Sequence, residues 1–148
     1  MAVHATSAFS ASLGSPEDLA AFIAAFSCWK EGWPKHEFSS ELFGKDGSYV
    51  HPQVGGEKYK LRHVHLKPLA DDRARRVWMS KFFRESRKCS DRVLVYAHNS
   101  RGDYLLIFIL PEPDAHQVAL MKSKEDIELM EGFAATAAAF LHDGSIIA

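Results

Sequence analysis

A chain of 148 residues that is 47% hydrophobic and 25% charged has the length and composition of one folded domain, which excludes a disordered polymer. Its uncharged apolar runs, such as Tyr104 to Leu110, fall far short of the ~20 residues that cross a bilayer, so no membrane partner is expected. The net charge of −1 conceals a division: Lys58 to Arg92 holds twelve Lys or Arg against four Asp or Glu, a balance of +8, and the remainder sums to −9. Such a segment suits a polyphosphate partner, RNA first.

Met1 to Ser10 has neither a positive n-region nor a continuous apolar h-region, so no signal peptide is expected and the cytoplasm is the expected compartment. Cys28 and Cys89 are far apart and lack a C-x-x-C pattern; reduced, half-buried packing residues are expected. Within the first eleven residues, Val3, Ala5 and Ser7 alternate against His4 and Thr6 as in a short edge strand. Ser15-Pro16-Glu17-Asp18 then reads as a helix start, with a capping hydroxyl, a proline where no amide donor is missed, and acids at the positive end of the dipole. Leu19, Phe22, Ile23, Phe26 and Trp29 recur at helical spacing before Gly32 and Pro34 stop the element.

A helical turn is expected over Lys35 to Phe43, and an irregular loop from Gly44 to Gly56 carrying Asp46, Tyr49, His51 and Pro52. The next strand is expected over Lys58 to Leu66, with Tyr59, Leu61, His63, His65 and Lys67 on one face and Lys58, Lys60, Arg62, Val64 and Leu66 on the other. Neither face is apolar throughout, so this strand borders a site. Asp71 or Asp72 caps a helix to about Glu85, with Val77, Trp78, Phe82 or Met79, Phe83 inward and Arg73, Arg76, Lys81 and Arg84 outward.

Arg92 to His98 and Asp103 to Leu110 are the clearest strands, and Asn99 to Gly102 is a hairpin-length polar turn between them. They are expected to be adjacent, antiparallel and central. Ser123-Lys-Glu-Asp126 resembles a capping box, opening a helix through Ile127, Met130, Ala134, Ala137 and Leu141 to Gly144. The expected class is α+β, a small antiparallel sheet with helices on one side.

Phe26, Trp29-Lys30, Gly32, Pro34, Leu42-Phe43-Gly44-Lys45-Asp46, His63-Val64-His65-Leu66, Leu94-Val95-Tyr96, Leu105-Leu106-Ile107 and Pro113 to His116 occur in order, and with them the chain resembles YafO-type toxins, which are bacterial mRNA interferases. The similarity runs from about Leu13 to Phe140. The part from His65 to Arg87, with Asp91 to Tyr96 and Tyr104 to Leu110, is also similar to the wider RelE-like group. That resemblance implies a twisted antiparallel sheet whose concave face takes mRNA, cleavage within the translating ribosome, and inhibition by an antitoxin from the neighbouring gene.

Metal-free RNA cleavage needs a proton taken from the 2′-hydroxyl, charge stabilised on the phosphorane-like transition state, and a proton given to the departing 5′-oxygen. No cofactor is expected. One of His63 and His65 is the expected general base, with Arg87 and Lys67 for phosphate charge, His116 as acid or second proton carrier, and Asp91 orienting Arg87 or a histidine. Lys58, Lys60, Lys67, Arg73, Arg76 and Arg84 are the expected contacts to RNA or ribosomal RNA.

Other readings compete. His63-Val64-His65 also has the spacing of a strand metal pair, with His51, His116 or Asp91 as third ligand, which suits a metal-dependent small-molecule enzyme. The same scaffold serves a non-catalytic RNA- or ribosome-binding regulator, or the histidines merely occupy a half-buried sheet edge. Tyr96, Tyr104, Trp78 and Phe108 either stack on bases or fill the core, and core is the simpler account; Tyr49 and Trp33 are uncommitted.

Overall fold

Alternating apolar side chains in two central strands organise the computed structural model, which describes residues 1–148. β4 (Val93–His98) and β5 (Tyr104–Leu110) pair antiparallel, as expected. Their turn is held by the Asn99 side-chain oxygen, which accepts from the amides of Arg101 and Asp103, and by Gly102 at φ 84°. β3 (Arg62–Leu66) adds antiparallel to β4, and β2 (Phe43–Ser48) antiparallel to β3. β1 (Val3–Ala5) joins the far edge parallel to β5, giving the order β1-β5-β4-β3-β2. The α+β class is as expected, but the sheet is mixed rather than wholly antiparallel.

Helices cover both faces rather than one. Val93, Val95, Ala97, Leu105 and Ile107 pack with Met130, Phe133, Ala137 and Phe140 of α5 (Lys124–Asp143). On the other face Val64, Leu66, Leu94, Tyr96 and Leu106 meet Phe9 of α1 (Ser7–Ser12) and Phe26 and Trp29 of α2 (Pro16–Gly32). Strands apolar on both sides need two covers, because each large side chain left in water forfeits about 1.5–3 kcal/mol. Tyr96, Tyr104 and Trp78 are core residues, and Phe108 is half-buried against Phe133.

The caps follow the sequence. Ser15 accepts from the Asp18 amide, Ser123 from that of Asp126, and Asp71 from that of Ala74 at the start of α3 (Asp72–Phe83). Gly144 ends α5 in the left-handed region at φ 82°. No helix is long and apolar enough to cross a membrane.

Several local expectations give way. Of the first eleven residues only Val3–Ala5 are strand, because the Thr6 hydroxyl donates to the Ile107 carbonyl at 2.7 Å, accepts from the Phe9 amide and starts α1. Of the helical turn foreseen over residues 35–43, turn hydrogen bonds as far as Ser39 remain, and of the loop over residues 44–56, residues 49–56 remain irregular; β2 takes residues 43–48 from both. The strand foreseen from Lys58 begins at Arg62; Tyr59 has φ 66° and its amide bonds to the Tyr49 carbonyl, so Lys58 and Lys60 lie in an exposed turn. On α3 only Trp78 is fully buried, and Val77 and Phe83 face water. A short α4 (Ala115–Ala119) was not foreseen at all. Both cysteines are free, yet exposed rather than half-buried.

Gly44 sits at a bulge in β2, where the Lys45 amide donates to the Lys88 carbonyl. A Cβ there would lie 2.2 Å from that carbonyl oxygen and 2.8 Å from the Trp78 ring. Gly44→Ala is therefore expected to destabilise the protein at the upper end of the ~1–3 kcal/mol typical of overpacking, read as a shift in urea midpoint.

Candidate active site

Strand alternation in β3 sends Leu61, His63 and His65 to the α5 face and Arg62, Val64 and Leu66 to the α2 face. His63 pairs with Val95 and His65 with Val93 across the sheet. Their rings are 5.9 Å apart and line a cavity of about 320 Å³ together with Lys45, Tyr49, Ser90 and His116. Three of the expected catalytic residues, His63, His65 and His116, thus come together although 53 positions separate the first from the last.

His63 is pressed between neighbours: the Tyr49 ring stacks on it at 4.1 Å, and its edge passes over Gly47. Its Nδ1 is buried without a hydrogen-bond partner. Burial first, then the neighbouring His65, pushes the His63 pKa down to about 4, so the ring is neutral at pH 7. Between that value and the ordinary 6.5 the unfolded chain binds the extra proton, and acid favours unfolding. Stability is expected to fall by up to about 3 kcal/mol from pH 6.5 to pH 4 on this account. Urea unfolding against pH checks it, and His63→Gln should remove this part of the slope.

His65 is anchored differently. Its Nδ1 lies 2.6 Å from the Ser90 carbonyl oxygen and 3.0 Å from the Ser90 amide nitrogen, so the same main chain accepts from Nδ1–H or donates to bare Nδ1. Nε2 is left without a protein partner. Burial lowers its pKa, and the bond to Ser90 partly offsets that. Tyr49 carries a hydroxyl pushed up by burial.

The remaining expected residues divide. His116 is exposed at the cavity, and the Asp91 carboxylate accepts its backbone N–H at 2.6 Å. Asp91 therefore fixes the first turn of α4 rather than gripping Arg87 or an imidazole. Arg87 is exposed and does not line the cavity. Lys67 is paired with Glu41 at 2.7 Å.

Much of the basic segment is spent internally. Arg62 binds Asp46, Arg75 binds Asp72 and the Leu69 carbonyl, and Arg92 donates to the Lys67 carbonyl. Lys88 is wholly buried among Phe38, Trp78 and Phe82, its ammonium bonded to the Phe38 carbonyl, and loss of water holds its pKa down to about 8. Lys58, Lys60, Arg73, Arg76 and Arg84 stay exposed, Arg73 and Arg76 on α3 and Arg84 at its C-cap.

Sequence reasoning missed the most connected polar group in the protein. Asp46 has a fully buried carboxylate that binds Lys30 of α2 at 3.0 Å and Arg62 of β3 at 2.8 Å, and accepts from the Tyr96 hydroxyl of β4 at 2.5 Å. The Glu37 carboxylate takes the Asp46 amide, and Arg62 also reaches Ser48. Lys30 meanwhile lies over the rings of Trp29 and Trp33. Lys45 and Tyr49 were missed as site residues too. The signal was present, since odd positions from Lys45 to Tyr49 share a face once residues 43–48 are read as strand.

For the metal alternative, no three His, Cys, Asp or Glu side chains are grouped so as to hold an ion. The His63–His65 pair thus lacks the third ligand that reading required.

Comparison with known proteins adds a family. No curated protein and no solved structure matches the chain. A family model for the toxin YafO of type II toxin–antitoxin systems matches residues 29–142, from Trp29 in α2 to His142 in the last turn of α5, and so takes in β2, the histidine strand, α3, the central hairpin and α4. The chain therefore belongs to the YafO toxin family, whose members act within type II toxin–antitoxin systems and have a cognate antitoxin as partner.

Proposed function

We propose that this toxin is a metal-independent, ribosome-dependent endoribonuclease that cuts translated mRNA and so stops protein synthesis in the cytoplasm. The observation that carries the reading is the convergence of His63, His65, His116 and Lys45 on one cavity. His65 is the general base: Ser90 holds Nδ1, and Nε2 is free to take the 2′-hydroxyl proton. The 2′-oxygen then attacks phosphorus, the bond to the 5′-oxygen breaks, and His116 returns a proton to that oxygen. The products are a 2′,3′-cyclic phosphate and a 5′-hydroxyl. Lys45, exposed at the cavity, meets the charge that develops on the phosphoryl oxygens.

His63 serves as a neutral hydrogen-bonding partner beside the phosphate, in keeping with its depressed pKa. Arg73 and Arg76 on α3 and Arg84 at its C-cap, with Lys58, Lys60 and Arg87, supply the exposed charge that meets RNA backbone. A RelE-like ancestry belongs to the same reading.

Incubating the protein with a defined mRNA in a purified translation system, and mapping new 5′ ends by primer extension, tests it. Cuts that appear only when ribosomes translate are expected. Retained ribosome binding without any cut would favour the non-catalytic regulator instead.

A further inference from the structure

A cavity of about 940 Å³ adjoins the histidine cavity and shares Tyr49 and Ala119 with it as walls. Its far side is α5, which presents Ile127, Glu131 and Ala135. The two spaces differ chemically. Lys45 and three histidines line the smaller one, whereas the larger one contains no Lys or Arg, has mostly apolar walls, and has Glu131 as its single carboxylate. That carboxylate is exposed and takes part in no ion pair; the one pair formed on α5 is Lys124–Glu128.

A mostly apolar cleft that holds no Lys or Arg, with His51 and Gln53 among its other polar side chains, is suited beside a phosphate site to the uncharged part of a nucleotide. An acidic peptide would find no Lys or Arg there and would be repelled by Glu131. A carboxylate only accepts hydrogen bonds, through two oxygens side by side. Guanine offers two adjacent donors, N1–H and the 2-amino group. Adenine and cytosine set a ring-nitrogen acceptor beside their amino group, and uracil flanks its one N–H with carbonyls.

On the nuclease reading just given, we propose that this cavity is a base pocket holding a guanine next to the phosphate at the histidines, with Glu131 accepting from its N1–H and amino group. The pocket is a specificity site for the reaction rather than part of the proton-transfer set.

Calorimetric titration of the intact protein with guanosine 3′-monophosphate, and with the adenosine, cytidine and uridine equivalents, tests it without any ribosome. Guanosine 3′-monophosphate is expected to bind tightest, and Glu131→Gln to weaken it about 10-fold or more, as for loss of a bidentate base contact. Ala135→Leu, which narrows the cleft from an exposed helix position, should weaken it as well. Equal binding of all four nucleotides, or of none, would overturn the proposal. Glu131-dependent guanosine binding by a protein that cuts no mRNA would leave the pocket standing and remove the nuclease reading instead. In the translation assay, cuts by the wild type should cluster beside guanine and lose that bias in Glu131→Gln.

Discussion

Replacing both His63 and His65 by alanine is expected to reduce mRNA cleavage by about 10²–10⁴-fold, the range of a general acid–base contribution, while leaving the fold in place. The two substitutions fall on partly solvated side chains at the β2 side of the α5 face, not on the Val93–Phe140 core. The His65 ring contributes its Nδ1 bond to Ser90, and His63 contributes a stacking contact with Tyr49. Neither bridges helices. Circular dichroism and the thermal midpoint at pH 7 should therefore stay close to the wild type. Single variants are expected to differ: His65→Ala removes the proposed base and should cost nearly as much as the pair, because groups acting in one step are not additive. His63→Ala, removing a neutral neighbour, should cost less. A folded double variant that cuts at the wild-type rate would place the chemistry elsewhere.

Asp46→Ala is expected to cost about 3–5 kcal/mol in folding stability, the largest effect of any single polar substitution in this chain. The loss is mainly a penalty on what remains. Lys30, whose side chain is 4% exposed, and Arg62 would be left facing each other without an anion, and the Tyr96 hydroxyl without its acceptor. Burial already lowers the Lys30 pKa, and Asp46 is the chief force opposing that. Without Asp46 the folded Lys30 pKa drops further below its unfolded value. Unfolding in the variant is then favoured at neutral pH, and the deficit shrinks as pH rises through the folded Lys30 pKa towards 10.5. Urea titrations at pH 7 and pH 9.5 measure both parts. Adding Lys30→Met should restore some of the lost stability, since an apolar side chain of similar length carries no charge to strand. An Asp46→Ala protein as stable as the wild type at pH 7 would mean that water, not the carboxylate, screens the two cations.

What could be read from the sequence follows from where the pattern is local. The central hairpin announced itself through Val93 to Leu110, and α2 and α5 through capping serines and helical stripes, because each signal lies within one element. β2 was hidden because Gly44-Lys45-Asp46-Gly47-Ser48 has a loop's composition; its strand character comes from pairing with β3 and from the close pass of the Lys88 carbonyl. The same element holds Lys45 and Asp46, so missing it concealed a residue of each polar cluster. His63 and His65 were legible as a pair because they are two apart on a strand. The company of His116 was found by chemical need, and its place by the fold.

Charge was legible as a total and misleading as a surface. The +8 balance counts Arg62, Arg75, Lys88 and Arg92, which spend themselves on Asp46, Asp72 and main-chain carbonyls. Only a structure separates a cation bound to its own protein from one left for a partner.

The parallel seat of β1 on β5 bears on how the protein comes into being. Val3–Ala5 are synthesised well before their hydrogen-bonding partner Tyr104–Leu106, and the Thr6 hydroxyl waits for a carbonyl 101 residues later. Such distant closure makes the last steps of folding slow and late in synthesis. His63 and His65 share that delay, since β4 must emerge before their strand is flanked on both sides, and His116 emerges later still. The cavity that gathers the three histidines is thus complete only after the segment through His116 has been synthesised.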